Sequence, residues 1–140
     1  MWRREYFRQS WEATLPDSRA QLDIIVAALQ ALAAEPEVQV DLFPDFVVVP
    51  DELASTYSDA YGMVDKLFRE GLVSPAQANA LASVEAVLER MSQGGDKGLW
   101  TVEGLRLRDE WRVVRSKALS ALQELDIPPE APSLAGTSYV

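Results

Sequence analysis

The sequence predicts an all-α fold, a helical bundle of about four long helices. Three observations lead there. Apolar residues recur at spacings of three and four in four separate segments, the period of a helix with one buried face. Those segments are bounded by residues that start and stop helices: Thr14 and Pro16, Pro36, Pro50, Gly71, Ser74 and Pro75, Gly94 and Gly95. Strand-like alternation is confined to residues 36–50. The strongest helical segment lies within residues 99–125. From Asp109 onward Trp111, Val114, Ala118, Leu122 and Leu125 share one face. A face that apolar must be covered by other helices.

Taken in order, residues 2–13 read as a short helix with Trp2, Tyr6 and Phe7 on one side. Thr14-Leu15-Pro16-Asp17 offers a hydroxyl cap, a proline in the first turn and an acid three residues after the threonine. The helix it starts runs to about Glu35, with Leu22, Ile25, Val26, Leu29 and Leu32 as its stripe. Residues 36–50 hold three prolines and a valine cluster, which argue against helix. Val38, Val40 and Leu42 alternate as in a strand. An extended, partly buried crossover is expected there, with a hairpin as the alternative; a hairpin alone is marginal in water.

The next helix spans residues 51–70, with Leu53, Tyr57, Ala60, Tyr61, Val64, Leu67 and Phe68 on one arc. Gly71 is placed to end it. Ser74-Pro75 starts another, whose stripe is Leu81, Val84, Leu88 and Met91 with Val87 beside it. Residues 96–108 read as a linker with a short helical turn capped by Thr101, tucking Trp100 and Leu105 into the end of the bundle. One domain over residues 1–126 is expected, then a Pro-rich disordered tail over residues 127–140.

Composition narrows the chemistry. The chain has no cysteine, so it has no disulfide, thiolate ligand or thiol nucleophile. It has no histidine, the commonest general base and transition-metal ligand. No apolar run approaches the roughly 20 residues of a membrane-spanning helix. Arg3-Arg4 has no apolar stretch behind it, so a signal peptide is not expected, and a cytoplasmic protein is.

The net charge of −9 is unevenly distributed. Residues 20–65 contain nine acids and no Lys or Arg, so this block alone carries a charge equal to the total. Such a chain repels nucleic-acid phosphates and suits a basic protein partner, although solubility alone would also account for the acids.

The acids lack the spacing of a metal loop: Asp41, Asp45 and Asp51 sit among prolines and valines with no glycine turn. No catalytic residue, cofactor or metal is expected. Tyr57 and Tyr61, one turn apart with Asp59 between them, fit either aromatic anchors of an interface or rings lining the core with hydroxyls at the rim. Arg106, Arg108, Arg112, Arg115 and Lys117 form a basic cluster shadowed by Asp109 and Glu110, too small for a nucleic-acid patch. Arg115 is expected to pair with a carboxylate of the acidic block.

The pattern Leu99-Trp100-Thr101, Leu105, Glu110-Trp111, Val114-Arg115, Ala118-Leu119 and Leu122 resembles the C-terminal part of small acidic helical bacterial proteins. An acidic helical bundle with two tyrosines near Asp59 is also similar in kind to the immunity proteins of nuclease bacteriocins. Those proteins present acids and paired tyrosines to a basic toxin. Their tyrosines are adjacent, whereas Tyr57 and Tyr61 are a turn apart, so only the physical analogy is carried over. The resemblance implies a non-enzymatic protein of the immunity or antitoxin type, binding a toxin or nuclease through Asp41, Asp45, Asp51, Tyr57, Asp59, Tyr61 and Asp65. The other readings are a scaffold bundle, homodimeric through its stripes, and a carboxylate-dependent enzyme or small-ligand pocket.

Overall fold

The computed structural model describes residues 17–130. The described residues are helical with no strand. They form α1 (Ser18–Ala33), α2 (Pro36–Asp41), α3 (Val49–Tyr61), α4 (Val64–Arg69), α5 (Pro75–Gln93), a 3-10 turn (Lys97–Trp100), α6 (Val102–Leu107) and α7 (Asp109–Glu124). The expected helix over residues 2–13 and the end of the expected tail, residues 131–140, lie outside the described residues.

The four longer helices pack in a ring. α7 lies against α5 and α1, α1 against α3, and α3 against α5. Each turns its apolar stripe inward. Ile25, Leu29, Leu32, Leu53, Tyr57, Leu67, Leu81, Leu105, Trp111 and Leu122 are fully buried in one cluster. Burial of this apolar surface is the main driving force of the fold.

Local chemistry sets the ends of the elements. The α1 cap is Asp17 rather than Thr14: its carboxylate accepts from the Ala20 N–H at 2.9 Å. Ser74 and Gln77 form a reciprocal capping box at α5, at 2.9 and 3.1 Å. After α4, Gly71 at φ 80° allows the Leu72 N–H to reach back to the Leu67 carbonyl at 3.0 Å. The same device ends α7, with Asp126 in the left-handed position at φ 59° and the Ile127 N–H on the Leu122 carbonyl at 2.9 Å. Ile127 packs back on the core and the Pro128 carbonyl accepts from Gln30, so the start of the expected tail belongs to the folded domain.

Two expected segments differ. The extended crossover over residues 36–50 is instead a helix, Pro36–Asp41, followed by turns. Pro36 occupies the first turn, where its missing N–H costs nothing. The low helix propensity of Val38 and Val40 is a matter of tenths of a kcal/mol, at most about 0.7 per residue, and tertiary ties override it. One tie is Gln39, fully buried, whose amide donates to the Ala31 and Leu32 carbonyls at 3.0 Å each. Those carbonyls lie in the last turn of α1, where helical donors run out; the Ala31 carbonyl also accepts from the Ala34 N–H at 3.4 Å. The other tie is Arg106, bidentate to Glu37 at 2.7 and 2.9 Å.

Gln39→Leu is therefore expected to cost about 1–3 kcal/mol, since it removes the side-chain donor shared by the two carbonyls at the end of α1. Urea denaturation checks this; an unchanged midpoint would show that water replaces the amide without loss.

The single helix expected over residues 51–70 is broken into α3 and α4. Around Gly62 the bonds tighten to the i−3 pattern, Gly62 N–H to Asp59 and Met63 N–H to Ala60. A glycine inside a helix costs up to about 1 kcal/mol relative to alanine, so this is where the helix yields.

Candidate functional site

The acids of residues 20–65 spread over α1, α2, the turns at residues 42–48, α3 and α4. All are exposed except Glu52, which is partly buried. Glu37 pairs with Arg106, whose hydrogen bonds hold its carboxyl below the usual range. Asp65 pairs with Arg69 at 3.3 Å. Among the described residues no ion pair joins a cation to Asp23, Glu35, Asp41, Asp45, Asp51, Glu52 or Asp59. Arg108 holds Asp96 and Glu110, and Arg112 holds Asp109.

Asp41, Asp45 and Asp51 bracket the turns between α2 and α3 in the chain. Phe46 and Val48, 70% and 55% exposed, stand in those turns.

The tyrosine pair divides. Tyr57 is fully buried and its hydroxyl donates to the Leu81 carbonyl at 2.7 Å, tying α3 to α5. Burial holds its hydroxyl far above the usual tyrosine range. Its ring and hydroxyl are thus both taken up by the core, unlike the rim position expected for the hydroxyl. Tyr61 stacks on it with ring centroids 6.1 Å apart and keeps part of its ring at the surface.

Arg115 also departs from expectation. Among the described residues no carboxylate lies within ion-pair distance; its guanidinium turns to the Leu105 carbonyl at 3.3 and 3.4 Å. That carbonyl is in the last turn of α6, where acceptors lack helical donors. Desolvation lowers its pKa, with the charge of Glu35 opposing.

Beside Tyr61 lies a polar group that the charge count concealed. Glu85, on α5, is partly buried and accepts from the Ser58 hydroxyl at 2.8 Å. Residues 66–140 sum to −1, which hid the local excess of Glu85 and Glu89. The readable signal was their i, i+4 spacing, continued by Ser92, opposite Asp51, Ser55 and Ser58 on α3. Among the described residues no group of acids is placed to hold a metal ion, and none of the helices is long and apolar enough to cross a membrane.

Burial raises the Glu85 pKa, the Ser58 hydrogen bond opposes this, and the Glu89 charge adds to it. The other titratable groups facing it are Tyr57 and Tyr61. A carboxyl raised in the folded state stabilises most when protonated, and that contribution is lost as pH rises through the raised value. Ionised Glu85 is then unfavourable at neutral pH. Glu85→Gln, which keeps an acceptor for Ser58, is expected to raise the melting temperature at pH 7. The gain should vanish below the ordinary carboxylate range. Thermal melts of both proteins across pH check this; a lower melting temperature for the variant at neutral pH would refute it.

Comparisons with protein-family models, with curated proteins and with solved structures each returned no match.

Proposed function

We propose that this chain is a non-enzymatic, cytoplasmic binding protein of the immunity or antitoxin type, a helical bundle that neutralises a basic protein through its acidic surface. The observation that carries the reading is that Asp23, Glu35, Asp41, Asp45, Asp51 and Asp59 are exposed and make no ion pair among the described residues. Acids kept only to balance nearby cations would be paired. These face solvent without counter-charges, and their field extends outward to attract a basic partner and speed its association. Phe46 and Val48 supply apolar contact inside that field, and Asp41, Asp45, Asp51 and Asp59 supply the charge.

The test replaces Asp41, Asp45, Asp51 and Asp59 together by Asn. Association is then measured against the basic protein that copurifies with the chain in its host. The association rate is expected to fall about tenfold or more at low salt. The wild-type rate should fall comparably between about 0.1 M and about 1 M salt, as the Debye length shrinks from about 10 Å to about 3 Å. A rate insensitive to both salt and substitution would overturn this reading and leave the scaffold bundle ahead.

A further inference from the structure

The seam between α3 and α5 is the least tightly closed side of the ring. Its wall residues include Ala54, Ser55, Ser58, Ala78 and Ala82, too short to fill it. One open groove lies along it, and a second follows at its end, between α4 and α5. The first, about 660 Å³, has Asp51, Ser55, Ser58, Glu89, Ser92 and Trp100 in its walls. The second, about 440 Å³, is walled by Tyr61, Val64, Asp65, Phe68, Ala78 and Ala82 among others. The Ser58–Glu85 hydrogen bond crosses from α3 to α5 between them.

The seam therefore changes character along its length, from carboxylates and hydroxyls at the Trp100 end to rings and methyl groups at the Phe68 end. Among the described residues neither groove has a Lys or Arg in its lining. Phe68, 43% exposed, borders the apolar half. The complement of such a seam carries apolar side chains and cations on one rigid rod. An α-helix does this with residues at i, i+3, i+4 and i+7. At 1.5 Å per residue the 13 residues of α3 extend about 20 Å, so the seam accommodates a helix of about four turns.

We propose that the α3–α5 seam is the docking groove for a basic amphipathic helix of the partner. Its apolar face seats on Tyr61, Phe68 and Ala82, and its Lys and Arg side chains reach Glu85, Glu89 and Asp51. This rests on the reading of the chain as a binder of a basic protein, and it assigns the binding to a particular surface. A cation docked beside Glu85 supplies the counter-charge that the carboxylate lacks. Long basic side chains also lay their methylene stems along the alanine and serine walls while their charged ends stay with the acids.

The probe is a synthetic peptide of about 18 residues, about five helical turns of Leu and Lys set at helical spacing. A scrambled peptide of the same composition and a Glu-for-Lys version are the controls. Binding is measured by calorimetry and mapped on the full chain by NMR shift perturbation. The helical Lys peptide is expected to perturb α3, α4 and α5, and to bind about tenfold more tightly than the scrambled one, with no binding of the Glu version. E85Q/E89Q should weaken it about tenfold and Asp41→Asn/Asp45→Asn by less than about twofold. Ala82→Arg, which sets a cation in the apolar groove, should abolish binding while the circular dichroism of the chain is unchanged.

Shifts centred on the turns between α2 and α3 would overturn the seam proposal and leave the basic-partner reading standing. Equal affinity for the scrambled peptide would overturn the helical occupant. Self-association of the chain through α3 and α5, detected by sedimentation, would assign the seam to a second copy and overturn the proposal. Absence of binding by every Lys peptide at low salt would overturn both the seam and the reading beneath it.

Discussion

Trp111→Ala is expected to destabilise the protein by about 3–5 kcal/mol, the range for truncating a buried large aromatic. The ring has no solvent exposure and lies in the first turn of α7, on its buried face. It holds two further contacts. Its indole N–H donates to the Leu99 carbonyl at 2.7 Å, and Trp100 packs edge-on against it with centroids 5.7 Å apart. Truncation leaves a cavity that the surrounding helices fill only in part, and orphans a buried carbonyl. Trp111→Phe keeps an aromatic ring while it removes the donor and part of the indole volume, so a loss smaller than that of the alanine variant, about 1–3 kcal/mol, is expected. Chemical denaturation measures both. A near-zero shift for the alanine variant would mean that the ring is not part of the core.

The second large effect is expected at a glycine. Gly104 lies in α6, pressed against the 3-10 turn. A Cβ there would overlap the Gly98 carbonyl oxygen and lie 3.1 Å and 3.2 Å from the carbonyl carbons of Gly98 and Leu99. These are backbone atoms, which no side-chain rotation moves aside. The same turn is locked by Thr101, whose hydroxyl accepts from the Gly104 N–H at 2.9 Å and donates to the Gly98 carbonyl at 3.1 Å. Gly104→Ala is expected to cost at the upper end of, or beyond, the roughly 1–3 kcal/mol of overpacking. Displacing the 3-10 turn would also move Leu99, the acceptor for Trp111. A double-mutant cycle with Trp111→Phe should therefore show coupling rather than additivity. A stable Gly104→Ala protein would contradict the close approach.

The buried faces were legible in the sequence because helical periodicity is a local property. Ile25, Leu29, Leu32, Leu81, Val84, Leu88, Trp111, Val114 and Leu122 could be named from spacing alone, and each is buried. The starts and stops at Ser74, Gly71 and Gly94 were legible for the same reason, since capping acts within a few residues. The acidity of residues 20–65, and its exposure on helix faces opposite the stripes, also followed from the sequence.

Long-range partners were not legible. Residues 36–41 are helical because Gln39 completes the end of α1 and Arg106 clasps Glu37, contacts made across up to 69 residues of chain. Tyr57 and Tyr61 carry one local pattern, yet only Tyr57 meets the Leu81 carbonyl and is lost to the surface. Arg115 found a helix-end carbonyl where an acid was expected, and Gly104 gained its importance only from the turn lying against it. The α3–α5 seam, with Glu85 and Glu89 on one wall and Asp51 and Ser58 on the other, exists only once two distant helices meet. Periodicity and capping are written within single turns of the chain, so the sequence by itself determined which faces are buried. Hydrogen bonds and close approaches between segments depend on where the other segments lie, and those the packing of the helices decided.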